Sequence, residues 1–417
     1  MRAQPDHGWG DVNRPDEEGR AQAGESSLSL ADAEDIFAEA ADLTVGIEEE
    51  LAILDPVTLD LVPRFEELTA AARNEDPVLL GSISGELIAS EIEIRSGRAA
   101  DLHDALASQR DARRRLFVLA EAHGAALGAT GTHPFADYRQ QRNIDTQHYR
   151  RVVEDLQYVA RRNNTFSLHV HVGVRDLDRA VRVSDRLRPL LPLLLAVSAS
   201  SPFLDGVDAG LHSARTQSFT KQFPRCGVPD AYGSWEAYRA YLEVLVGAGS
   251  IVEGTQVWWS VRPHLAFGTV EVRICDAQPT ASESDDLAGL IVACVAQAAR
   301  DVDEGVPWSD PPGRLVEENL WRAIRYGLDG HMLEIGAPSD AGADGGRYPA
   351  AAIVERLAAW TAPARAELDW SPDLPVRNSA QRQRELITDG LDPRAVYAST
   401  VRETVQTYPH PQEVNAA

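Results

Sequence analysis

Four short runs place charged or imidazole groups two residues apart between aliphatic neighbours, and this pattern limits what the chain can fold into more than any other. The runs are Glu48-Glu49-Glu50 within residues 44–51, Glu91-Ile92-Glu93 within 88–95, His169-Val170-His171 within 166–172, and Glu271-Val272-Arg273 within 269–274. In an extended strand, residues i and i+2 share a face. Glu48 and Glu50 therefore point one way, as do Glu91 and Glu93, His169 and His171, and Glu271 and Arg273. Glu49 points the other way. Most residues between them are Val or Ile, which suit a buried face. A polar row repeated on four strands is costly to bury unless something binds there. Carboxylates with one or two imidazoles suit a divalent cation held mainly by oxygen. The strands occur in pairs or between helices, with alternating faces. That pattern predicts an α+β fold with an antiparallel sheet, one face of which is open to ligand.

The rest of the chain fills in around these strands. Helical spacing runs over 98–124, 146–162, 177–200, 234–247 and 283–303. Residues 126–136, 256–263 and 268–275 read as strands. Asp55 to Asp60 reads as a turn into a second strand, giving an early hairpin. Residues 201–230, with Pro202, Gly206, Gly210, Pro224, Gly227 and Pro229, read as a long loop of the kind that carries function. The last third is mostly helical, interrupted by a flexible run from Gly336 to Gly346. Residues 1–40 are polar and acidic and are expected to be a disordered tail, apart from a short helix over 30–41. Residues 41–417 are expected to form a single catalytic domain with a helical C-terminal part.

Composition excludes several classes. The formal net charge is -24 and the pI about 4.8. A phosphate backbone or anionic membrane needs a basic surface, so neither is an expected partner. The most apolar stretch, 187–197, spans about half a membrane and contains Pro189 and Pro192. No charged segment followed by an apolar one opens the chain, so a cytoplasmic location is expected. Three cysteines without a CxxC argue against a zinc finger or disulfide scaffold. No third histidine or cysteine has zinc-ligand spacing beside His169 and His171. There is neither a GxxxxGK[ST] loop nor a Gly-x-Ser-x-Gly elbow. Lys221 is the single lysine. Arg215, Lys221 and Arg225 are either phosphate contacts or surface charges on the long loop. Arg262 and His264 form one more same-face pair, and arginine forks suit carboxylate or phosphate.

These residues resemble the carboxylate–amine ligases of the glutamate–cysteine ligase type 2 group. Eight stretches match in the family's order. They are Gly46 to Glu50, Glu91 to Ile94, Gly131 to Phe135, His169 to Gly173, Ser200 to Gly206, Trp258 to Pro263, Thr269 to Asp276, and Asn319 to Asp329. The resemblance implies a glutamine synthetase-like fold, a curved antiparallel sheet with helices on its outer side. It implies ATP- and magnesium-dependent ligation through an acyl phosphate, with glutamate and cysteine, or another amine, as small-molecule substrates. The expected product is γ-glutamylcysteine, for thiol biosynthesis, and self-association is expected. Glu48, Glu50, Glu93 and Glu271 match metal-binding carboxylates. His169 matches a histidine near metal and phosphate, and Arg273 an arginine that steadies the transferring phosphoryl group. Arg262, Arg215, Lys221 and His171 are expected to contact the nucleotide. Which of Glu91 and Glu93, or His169 and His171, meets metal or phosphate stays open. Ser260, His264 and Ala209 stand where family members often carry aspartate, serine and threonine. These departures leave the phosphoryl-transfer residues intact and leave open a different acid or amine; a homologue that binds ATP without turnover is a separate alternative.

Overall fold

The computed structural model describes residues 30–406 apart from 253, 334, 336–345 and 376; most of the acidic tail (1–29) and nearly all of the run from Gly336 lie outside the described residues. The expected strands assemble into one seven-stranded sheet. We label its strands β1 (Val45–Leu54), β2 (Ile83–Ser84), β3 (Glu91–Arg95), β4 (Ala126–Gly128), β5 (Ser167–Gly173), β6 (Val261–His264) and β7 (Thr269–Asp276). Their order is β6-β7-β5-β1-β3-β2, with β4 paired to the end of β1. Every pairing in this sheet is antiparallel.

One face of the sheet is apolar for the reason the alternation predicts. Val45, Ile47, Val170, Val172, Val270 and Val272 join a single buried cluster with helices laid across them. The helices that matter here are α1 (Leu30–Glu39), α2 (Leu102–Ala122), α3 (Leu177–Leu187), α4 (Leu191–Ser198), α5 (Ala281–Asp303) and α6 (Gly313–Tyr326). α5 starts at a capping box in which Thr280 and Glu283 exchange side-chain and backbone hydrogen bonds. Glu49 lies on this helical face, as its parity requires. Its carboxylate is 3.3 Å from Arg113 of α2, both groups being buried.

Three local expectations change. The helix expected over 177–200 is broken between α3 and α4 at Arg188-Pro189, where proline lacks the N–H that a continuous helix needs. The early hairpin is reduced to one bridge between Leu54 and Leu61. The Asp55 carboxylate does cap a turn by accepting from Val57 and Thr58. Both long edges of β1, however, are taken by β3 and β5. The long loop is largely structured. It holds the strand pair Phe203–Leu204 with Val207–Asp208, a helix at Ala214–Ser218, and a parallel pairing of Cys226–Gly227 with Trp258–Trp259. Beyond Ala350 the described chain is helical, and Tyr397 and Val401 pack against Leu54 and Phe166. Among the described residues, no helix is long and apolar enough to cross a membrane.

Candidate functional site

Register decides which of the same-face groups meet. Across the sheet, Glu48 lies opposite His169 on one side and Arg95 on the other, and Glu50 lies opposite Glu93. Glu271 lies opposite His171 on one side and Arg262 on the other. One irregularity shapes the row. Between Val272 and Cys275, β7 carries two residues, Arg273 and Ile274, against the single His169 of β5. Such a bulge shifts the parity of the strand. Arg273 stays on the open face with Glu271, while Ile274 and Cys275 both reach the core cluster.

The outcome, among the described residues, is two groups of three candidate ligands. Glu48, His171 and Glu271 form one, and Glu50, Glu86 and Glu93 the other. In each group one donor atom per residue lies within 4.8 Å of the others. Glu86 was not singled out from the sequence, and His171 moves from the nucleotide to the first cation-type group. The donors are oxygens with one imidazole, which fits a divalent cation such as magnesium. Glu91 stands behind the second group, buried, with its Oε2 lacking any hydrogen-bond partner.

The two groups carry charge differently. Burial works against the Glu271 charge, but Arg262, Arg273 and His171 outweigh it and hold the carboxyl well below its usual range. The Arg262 Nε donates to Glu271 Oε2 at 2.6 Å, and Arg273 donates to Oε1. Burial likewise opposes the Glu48 charge, and the His171 and His169 imidazoles outweigh it, so this carboxyl is also well below its usual range. The other group is crowded by its own kind. Burial, Glu50 and Glu48 push Glu86 up to about 8. Burial and neighbouring carboxylates raise Glu91 and Glu93 well above the usual range. Like charges this close favour the protonated form unless a cation is present.

The remaining expected residues take distinct places. His169 Nε2 is 2.8 Å from the Ser167 hydroxyl, which in turn donates to Glu50 at 2.5 Å, and its Nδ1 is 3.4 Å from Glu48. Burial and then Arg273 lower its pKa, against Glu48 and Glu50, which raise it. Arg215 is buried rather than on the surface. It donates to the carbonyls of Ile274 and Arg273, and so props the bulge from behind. Its Nε has no partner, and neither has the Nε of Arg273. Lys221 is not brought to the site. It is exposed and paired with Glu317 of α6.

A cavity opens on the second group. Glu50, Glu86, Glu91, His169, Arg215 and Arg273 form its polar side. Phe219, Phe223 and Trp258 form an aromatic wall, with Phe219 and Phe223 ring centroids 4.4 Å apart. The site thus joins cation-type carboxylates, the buried Arg215 and half-buried Arg273, and an amphipathic cavity on one sheet face. Such a site can gather phosphate and carboxylate groups around cations.

Comparison with known proteins places this architecture. A sequence model of glutamate-cysteine ligase family 2 matches residues 44–362. A protein of Solibacter usitatus (strain Ellin6076), provisionally named glutamate–cysteine ligase 2, is 35% identical over 370 residues, 87% of this chain and 93% of the relative. A Sorangium cellulosum (strain So ce56) protein of the same provisional name is 39% identical over 293 residues, 70% of this chain and 78% of the relative. In three dimensions the chain is similar to the glutamate–cysteine ligase of Francisella tularensis solved in complex with AMP. The TM-score is 0.60 at 12% identity, over 89% of this chain and 91% of that one. It is also similar to a bifunctional glutathione synthetase of Pasteurella multocida, with TM-score 0.58 and 14% identity, over 90% of this chain and 54% of that one. At those identities the structural likeness is one of fold.

Proposed function

Since the chain belongs to glutamate-cysteine ligase family 2, we propose that this ligase joins the γ-carboxylate of glutamate to an amine, cysteine first, driven by ATP with magnesium. The observation that carries the reading is the pair of three-ligand groups beside Arg273 on one sheet face. Glu48, His171 and Glu271 would hold one magnesium ion, and Glu50, Glu86 and Glu93 a second. When bound, these ions neutralise charge on the phosphates, which is most of what phosphoryl transfer asks of a protein.

In the proposed reaction a γ-carboxylate oxygen of glutamate bonds to the γ-phosphorus of ATP as the bond to ADP breaks. The amine nitrogen then bonds to the acyl carbon, phosphate leaves, and the nitrogen gives up a proton. Arg273, held by Glu271, supplies a delocalised positive charge to the transferring phosphoryl oxygens. His169 lines the cavity and would take up the proton. Glu91 and Arg215 are buried in the same cavity, each with one polar atom short of a hydrogen-bond partner. That pair suits the ammonium and carboxylate of an α-amino acid. The aromatic wall of Phe219, Phe223 and Trp258 supports a second reading, the same chemistry with another amine of apolar side chain.

Incubating the protein with ATP, magnesium, glutamate and a panel of amines, and following ADP and product mass, tests the proposal. Arg273→Met should lower kcat about 10³-fold, as loss of a phosphoryl-stabilising arginine does elsewhere. Folded protein that releases no ADP with glutamate and any amine would refute it.

A further inference from the structure

We propose that Phe267, braced by His264, is the platform on which the base of ATP stacks, in a second cavity that meets the site from the side of Glu48 and His171. The inference rests on the proposed use of ATP and adds where the base is held.

The platform is built into the turn between β6 and β7. His264 pairs with Thr269 at the end of the ladder, and its carbonyl accepts from the N–H groups of both Phe267 and Gly268 at 3.1 Å. Gly268 has φ +66°, and a Cβ there would lie 2.9 Å from the Cβ of Ala40, next to α1. The turn is therefore closed against the molecule at a position that only glycine fills without strain. It nevertheless leaves Phe267 57% exposed. The ring is held all the same. It stacks on His264 with centroids 4.3 Å apart and planes at 17°, and meets His171 edge-on at 5.5 Å and 65°. His264 is buried, and its Nδ1 has no hydrogen-bond partner. Its visible work is thus done by the ring face. A fixed, exposed aromatic ring offers its free side to another flat ring.

The surroundings fit a nucleotide. The cavity holds about 490 Å³, within the usual range for small-molecule sites. Glu48 and His171 line it, so it reaches the first cation-type group, and Arg95 and Arg98 line it as well. The two arginines share the lining with Glu39 and Glu48, and their forks suit a polyphosphate whose cation the carboxylates can meet. The other cavity holds Glu91 and Arg215 and suits an amino acid. The row of site residues would then receive its two kinds of substrate from different cavities.

Calorimetric titration of the full chain with Mg–ATP, and in parallel with Mg–tripolyphosphate, separates base from phosphate. Phe267→Ala should weaken ATP about tenfold and leave tripolyphosphate unchanged, and Phe267→Trp should restore ATP. His264→Ser should weaken ATP alone, whereas His264→Phe, which keeps a flat ring, should not. Arg98→Gln should weaken both ligands. An ATP affinity indifferent to Phe267→Ala, an equal loss for tripolyphosphate, or no ATP binding by the wild type would overturn the inference. ATP binding that depends on Phe267 without any ligase turnover would instead refute the proposed reaction and leave the platform standing.

Discussion

Glu271 sits between two arginines and an imidazole, whereas Glu93 faces Glu50 and Glu86, with Arg95, at 3.7 Å, as its ion-pair partner among the described residues. The same strands thus build one group whose charge the protein balances itself and one whose charge it leaves to a ligand. The first is held charged and in place before anything binds. The second is preorganised in position, with Glu86 and Glu93 favouring the protonated form until a cation arrives. Geometry alone would rank the two groups as equals, and the charges around them separate their behaviour.

The largest expected effect breaks the comparison at its strong end. Glu271→Gln leaves the buried Arg262 and the half-buried Arg273 without their carboxylate, and should cost about 3–5 kcal/mol in urea unfolding. Glu93→Gln should do the reverse in chelated protein at pH 8. Removing one of the crowded carboxylates should stabilise by on the order of 1 kcal/mol, while magnesium-dependent turnover is lost. A common sign for the two variants would erase the distinction between the groups.

A smaller effect is expected from pH. Glu86, Glu91 and Glu93 have folded pKa values raised above the ordinary 4.5, Glu86 to about 8. Between those values the folded state holds protons that the unfolded state has released. The contribution of these groups is therefore full below about pH 4.5 and is lost as pH rises, for Glu86 through about 8. Glu48 and Glu271 are lowered, so theirs is present above pH 4.5 and is lost as pH falls below it. Added magnesium should therefore raise Tm more at pH 8 than at pH 5.5. The smallest effect is expected at Lys221. Its pairing with Glu317 is exposed, so Lys221→Ala should change stability by less than about 1 kcal/mol. The KM for ATP should stay within about twofold.

Much of this site was legible because a period of two is a strong signal where the alternate residues are Val and Ile. Parity alone put Glu48, Glu50, Glu93, His169 and Glu271 on one face and turned Glu49 away from them towards Arg113. What parity could not supply was register. The division into two groups comes from which residues lie opposite one another, and so His171 joins Glu48 and Glu271. Glu86 escaped notice because it lies between β2 and β3 without alternating neighbours, and only the fold brings it to Glu50 and Glu93. Arg215 and Lys221 looked alike on a loop rich in proline and glycine. The short helix at Ala214–Ser218, capped by Ser213, buries the first and leaves the second outside. The bulge that sends Ile274 and Cys275 together to the core also has no signature in the pattern.

In the proposed reaction the two groups are separate cation sites. Counting bound Mn²⁺ by paramagnetic resonance, with a non-hydrolysable ATP analogue present, tests this most directly. The wild type should bind one ion per group, two in all, with Glu48→Gln and Glu93→Gln each losing one and the double variant losing both. An unchanged count in either single variant would contradict the account.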